Sequence, residues 1–75
     1  MTTPHGSNDA DKPTAPPAGV LLWTAEQTAY VLSVTPNTVR GLYRGGGLRG
    51  VMVGRYLRFR PADVRTYVDA LEPAP

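Results

Sequence analysis

The chain has 75 residues, no cysteine, and eight basic against six acidic side chains, a formal net charge of +2. That length holds one small domain, and the lack of thiols excludes disulfide frameworks and thiolate metal sites. No signal-type apolar stretch precedes Val20, and the run Val20 to Trp23 is far too short to span a bilayer, so a cytosolic chain without a membrane partner is expected.

The net charge understates the local field. Residues 20–72 carry seven arginines against Glu26, Asp63, Asp69 and Glu72, whereas Asp9 and Asp11 outnumber Lys12 in residues 1–19. Between Arg40 and Arg60 there are six arginines and no acid. A stripe of one sign concentrates a polyanion and speeds its capture, so the composition points to a nucleic-acid partner.

The N-terminal segment, residues 1–19, holds Pro4, Pro13, Pro16 and Pro17 and almost no large apolar side chain. It cannot bury enough surface to offset its ordering entropy and is expected to be a disordered tail. The lone His5 within it is expected to be inert. Residues 20–72 form the domain, and residues 73–75 a short C-terminal tail. A domain of this size buries roughly 60% of its unfolded surface, which leaves little room for a catalytic cleft with supporting layers. No enzymatic activity, cofactor, metal site or small-molecule substrate is expected.

Thr24 followed three residues later by Gln27 is a capping-box pattern, so a first helix is expected from about Ala25 to Leu32. Ala25, Thr28, Ala29, Val31 and Leu32 form its inward stripe and leave Glu26, Gln27 and Tyr30 outward. Ser33-Val34-Thr35 then breaks the chain. Thr35 suits an N-cap and Pro36 a first helical position, predicting a second helix from Pro36 to about Arg44. Two short helices joined by so few residues, with Val34 buried in the turn, match a helix-turn-helix whose second helix enters a major groove.

On that second helix Val39, Leu42 and Tyr43 face inward. Asn37, Thr38, Arg40, Gly41 and Arg44 face out or flank the first turn. Asn pairs bidentately with adenine and Arg with guanine, while Thr reaches a thymine methyl or a phosphate. The helix N-terminus adds backbone donors for phosphate. Gly41 costs about 1 kcal/mol relative to alanine in a helix interior. Either it lets the backbone sit close to a groove, or it packs against the first helix, or it is merely tolerated.

Gly45-Gly46-Gly47 ends the second helix, and Leu48 is expected to fold back onto the core. This loop lacks the P-loop order and follows a helix, so no nucleotide site is expected. Val51-Met52-Val53 and Tyr56-Leu57-Arg58-Phe59 read as strands joined by Gly54-Arg55 in a type II′ turn. Alternation along the chain places Val51, Val53, Leu57 and Phe59 on one face, and Met52, Tyr56 and Arg58 on the other. Arg55 at the tip, flanked by Tyr56 and Arg58, suits a wing that enters a minor groove or clamps its phosphates.

Pro61 opens a third helix running to about Leu71, with Val64, Tyr67, Val68 and Leu71 closing the core over Leu22, Trp23, Leu32 and Leu42. Hidden in this way, Trp23, Phe59 and Tyr67 offer no stacking platform for single-stranded RNA. Asp63 and Asp69 read as solvated or dipole-compensating charges. The expected class is therefore α+β, a small winged helix-turn-helix in the order helix, helix, hairpin, helix.

The order Leu22-Trp23-Thr24-Ala25-Glu26-Gln27-Thr28-Ala29, Leu32-Ser33-Val34-Thr35-Pro36-Asn37-Thr38-Val39, Leu48 to Arg55, Leu57-Arg58-Phe59, Pro61 and Asp63-Val64 resembles the excisionase family of MerR-like winged helix-turn-helix domains. The resemblance covers residues 21–71. It implies a non-enzymatic double-stranded-DNA-binding protein that bends attachment-site DNA and steers a tyrosine integrase toward excision, with cooperative self-association on repeated sites. Thr35, Asn37, Thr38, Arg40 and Gly41 would then line the major groove, Arg44 and Arg49 would meet phosphate, and Arg55, Tyr56 and Arg58 would form the wing contact. Gly41 and Gly45 stand where the family commonly has a basic residue. The same fold serves small transcriptional regulators, and a chain of another class, an adaptor for an acidic protein partner, would use the same arginines.

Overall fold

The computed structural model describes residues 12 to 74. Of the tail expected to be disordered over residues 1–19, residues 1–11 lie outside the described part. The elements run α1 (Ala25–Leu32), α2 (Pro36–Arg44), β1 (Val51–Val53), β2 (Tyr56–Arg58) and α3 (Pro61–Asp69). This is a small α+β arrangement of three helices and one two-stranded antiparallel hairpin. Residues 12–22 take no helix or strand, yet the Thr14 N–H donates to the Glu26 carbonyl oxygen at 3.0 Å and ties the segment to α1.

Both helices before the hairpin begin as their sequences dictate. The Gln27 N–H donates to Thr24 Oγ1 at 3.1 Å, and the Thr24 N–H donates to Gln27 Oε1 at 3.0 Å, which satisfies two donors that have no partner inside the helix. At α2 the Thr38 N–H donates to Thr35 Oγ1 at 3.2 Å, with Pro36 at the first turn. Between them Ser33 adopts the left-handed conformation at φ 62°, and the Val34 N–H returns to the Ala29 carbonyl at 3.0 Å. No glycine or asparagine marks that position, so the tightness of the turn is set by the packing of the helices it joins.

The end of α2 is a Schellman ending. The Gly47 N–H reaches the Leu42 carbonyl at 2.9 Å and the Gly46 N–H reaches Tyr43 at 3.1 Å, with Gly46 at φ 84°. Leu48 then folds back as expected and is buried.

The hairpin corrects the expected faces. Val53 pairs with Tyr56, Met52 with Leu57 and Val51 with Arg58. Directly paired residues share a face, so Val51, Val53, Tyr56 and Arg58 lie together, and Met52 lies with Leu57. Counting alternation straight through Gly54-Arg55 fails, because a two-residue turn brings its flanking residues opposite one another and inverts the parity of the second strand. The turn itself is as read: Gly54 has φ 62°, while Arg55 does not adopt positive φ.

Phe59, just past β2, anchors the hairpin to the rest of the chain. Its N–H and carbonyl exchange 2.8 Å hydrogen bonds with those of Trp23, a one-residue bridge that no sequence signal announced. The buried centre comprises Ala25, Ala29, Val39, Leu48, Phe59 and Val64, with Trp23, Leu32, Val34, Leu42, Tyr43, Leu57 and Tyr67 packed around it. Thr28 is also buried, and its hydroxyl has no partner among the described residues.

Three expected core positions are exposed instead: Val31, Val68 and Leu71. α3 stops at Asp69, two residues short of Leu71, and its one fully buried residue is Val64. Trp23 is half-buried. Together with Val31, Pro61, Val64, Arg65 and Val68 it lines an open apolar groove.

Candidate nucleic-acid interface

The second helix presents its polar face as the spacing required. Pro36 and Val39 are buried and Leu42 and Tyr43 half-buried, while Thr35, Asn37, Thr38, Gly41 and Arg44 are exposed. Asn37, Arg40, Gly41 and Arg44 follow the i, i+3, i+4, i+7 spacing and therefore share one side of α2. A Cβ built on Gly41 meets nothing within 4 Å, which rules out close packing against α1 as the reason for this glycine. Its effect is to leave a bare strip of backbone in the middle of the polar face.

The hydroxyls of Thr35 and Thr38 lie 2.9 Å apart and share a hydrogen bond, so Thr35 serves the helix start and its hydroxyl is occupied there. Asn37 is exposed, and its side chain makes no hydrogen bond among the described residues, where the bonds of this turn are those of Thr35 and Thr38. Arg40 is placed differently from what its helical position alone suggests. It is half-buried, and its Nη2 donates to Glu26 Oε2 of α1 at 2.8 Å.

Among the described residues the ion pairs are Arg40–Glu26 and the exposed Arg65–Asp69 pair at 3.6 Å. Arg44, Arg49, Arg55, Arg58 and Arg60 take part in neither. Such uncompensated charge on a small domain raises the field toward an anion, since surface pairing is the usual way it would be cancelled. Arg55 projects from the hairpin tip beside Gly54 and is exposed. Arg58 lies over the Tyr56 ring at 5.2 Å and donates from Nη1 to its neighbour's carbonyl, Leu57, at 2.8 Å. That contact ties the two wing candidates Tyr56 and Arg58 to one another, on the face they share with Val53.

Arg49 and Arg60 border one cleft with Tyr43, Gly46, Leu48, Gly50, Val51 and Asp63. Arg60 lines this cleft beside the candidate residue Arg49, whereas the sequence counted it only within the arginine stripe and gave it no contact role. Gly50 was missed. A Cβ there would come within 2.8 Å of Leu57 Cδ1 and 2.9 Å of Tyr43 Cδ1, so any side chain at this position would force Leu57 or the Tyr43 ring to shift.

No cluster of three or more His, Asp or Glu able to hold a metal exists among the described residues, and no helix there is long and apolar enough to cross a membrane. Comparison with protein-family models, with curated proteins and with solved structures finds no match.

Proposed function

We propose that this chain is a sequence-specific binder of double-stranded DNA, a winged helix-turn-helix accessory protein of the excisionase type that bends attachment-site DNA and directs a tyrosine integrase toward excision. The observation that carries the reading is the pairing of an exposed polar α2 face, with Asn37 free and Gly41 bare, with five arginines that engage no carboxylate among the described residues. Asn37 and Arg40 address base edges in the major groove. Arg44 and Arg49 meet phosphate. Arg55, with the stacked Tyr56 and Arg58, enters the minor groove beside it. The order α1-α2-hairpin-α3 suits that docking, in which the second helix reads and the hairpin clamps.

The role is non-enzymatic. Copies binding side by side on repeated sites, or an integrase alongside, would supply the affinity one domain this small lacks. The test is a gel-shift titration on DNA flanking the chain's own gene at two salt concentrations, with an unrelated duplex as competitor. Discrete shifted bands that survive competition, with altered mobility of circularly permuted fragments, are the expected result, followed by a shift of an integrase reaction toward excision. A smear abolished by competitor and salt would leave charge-driven association alone and overturn the reading. A specific site overlapping a promoter, with no effect on recombination, would make the protein a transcriptional regulator working through the same face.

A further inference from the structure

We infer that Glu26 is a positioning residue that sets sequence specificity, by holding the Arg40 guanidinium on the base-reading side of α2 and away from the phosphates; this rests on the DNA-binding reading above. Glu26 is the one acid anywhere in residues 12–62. It stands on a different helix from Arg40, fourteen positions earlier, with Nη2 and Oε2 2.8 Å apart and the side chains only 35% and 22% exposed. The Arg65–Asp69 pair shows what an incidental surface contact looks like in the same molecule: 3.6 Å, one helical turn apart, with 80% and 66% exposure.

The backbone donors at the start of α1 are served by the Thr24–Gln27 capping box, so Glu26 in the first turn adds only its charge toward the helix dipole there. An acid beside a surface that meets a polyanion lowers affinity, so its presence there needs an offsetting gain. That gain follows from the chemistry of arginine. A free guanidinium on a long stem finds the nearest phosphate whatever the sequence, whereas one fixed at its far end can use only the donors that remain. Glu26 occupies Nη2, and Arg40 keeps its other edge for a guanine within reach of Asn37 and Gly41 on the same side of α2. Asn37 and Arg44 share this side of α2 with Arg40, and neither is an acid that could take Arg40 from Glu26.

The experiment measures binding of the full chain to two duplexes, one recovered by selecting a random-sequence library on the wild-type protein and the other a scrambled version of it. Wild type, Glu26→Gln, Arg40→Ala and the double variant are titrated across a salt series, and their thermal midpoints are recorded. The expected result is that Glu26→Gln binds the scrambled duplex more tightly, steepens its salt slope by about one, and lowers the ratio of selected to scrambled affinity roughly tenfold. In the Arg40→Ala background the same substitution leaves the ratio unchanged. An undiminished ratio in Glu26→Gln overturns the inference, and if the midpoint also falls, the pair is only a brace between the helices. Equal gains on scrambled DNA with and without Arg40 also overturn it, since they show simple removal of a repelling charge. If wild type itself fails to distinguish the two duplexes, it is the DNA-reading assignment that falls.

Discussion

The helix pair α1–α2 and the hairpin β1–β2 are stabilised in different ways. Each helix carries its own start signal in adjacent residues, Thr24 with Gln27 and Thr35 with Pro36, and buries a stripe set by a fixed angular period. The hairpin has two strands of three residues with Met52, Val53 and Tyr56 exposed, too little to stand alone. It is held instead at distant points: Phe59 against Trp23 and Tyr43, and Leu57 against α2 over Gly50. Local damage should therefore be absorbed by the helices and transmitted by the hairpin's anchors.

The largest effect separating the two regions is expected at Phe59. It is fully buried, meets Tyr43 edge to face with ring centroids 6.3 Å apart, and carries the isolated backbone bridge to Trp23, just before α1. Phe59→Ala removes the contact common to both regions and should lose about 3 to 5 kcal/mol, a large share of a small domain's stability. Urea denaturation followed by circular dichroism checks this. A loss below about 1 kcal/mol would show that the hairpin is held elsewhere.

Gly50→Ala tests the second anchor. The added methyl would meet the Tyr43 ring at 2.9 Å and Leu57 at 2.8 Å, and that ring cannot swing away freely while it packs on Phe59. A destabilisation of about 1 to 3 kcal/mol is expected, with faster amide exchange in β1 and β2 than in α1. Uniform exchange across both regions would erase the distinction between them.

This division also explains what was legible in the sequence. Helix boundaries and inward stripes follow from neighbours three and four apart, and α1 and α2 fall where their caps put them. The hairpin's location and turn were readable from Gly54, but its faces were not, because pairing across a two-residue turn reverses the alternation counted along the chain. α3 was drawn too long: apolar spacing at Val68 and Leu71 signals a stripe but not whether a partner surface exists to bury it. On the candidate interface the exposed α2 residues came from spacing, whereas the Glu26–Arg40 pair spans two elements and depends on their packing angle, which no local pattern encodes.

Reader and clamp should separate in binding as the two regions do in folding. The exposed Asn37 side chain makes no hydrogen bond among the described residues, so Asn37→Ala should leave stability unchanged and relax preference at one base position by about 1 to 3 kcal/mol. Arg55→Ala at the hairpin tip should weaken all duplexes alike and reduce the salt slope by about one. Titrations on matched and single-mismatch duplexes at several salt concentrations distinguish the two. Exchange of the phenotypes would mean that the hairpin reads and the helix clamps.

The smallest effect is expected at the glycine in the middle of α2, and its sign carries the information. Gly41 differs from Gly50 in having open space where a methyl would go, and its φ is not positive. Gly41→Ala should therefore stabilise the helix by up to about 1 kcal/mol, through better helix propensity and a less flexible unfolded chain. In a domain this small that corresponds to a melting temperature higher by roughly 4 to 8 °C. The stabilised variant then isolates function from folding. If it melts higher yet binds its duplex more weakly, the bare backbone at Gly41 is what lets α2 sit deep in the groove, and the helix gives up stability there for contact. If it melts higher and binds as well as wild type, Gly41 only tolerates its place, and base readout rests on the flanking Asn37 and Arg40 alone.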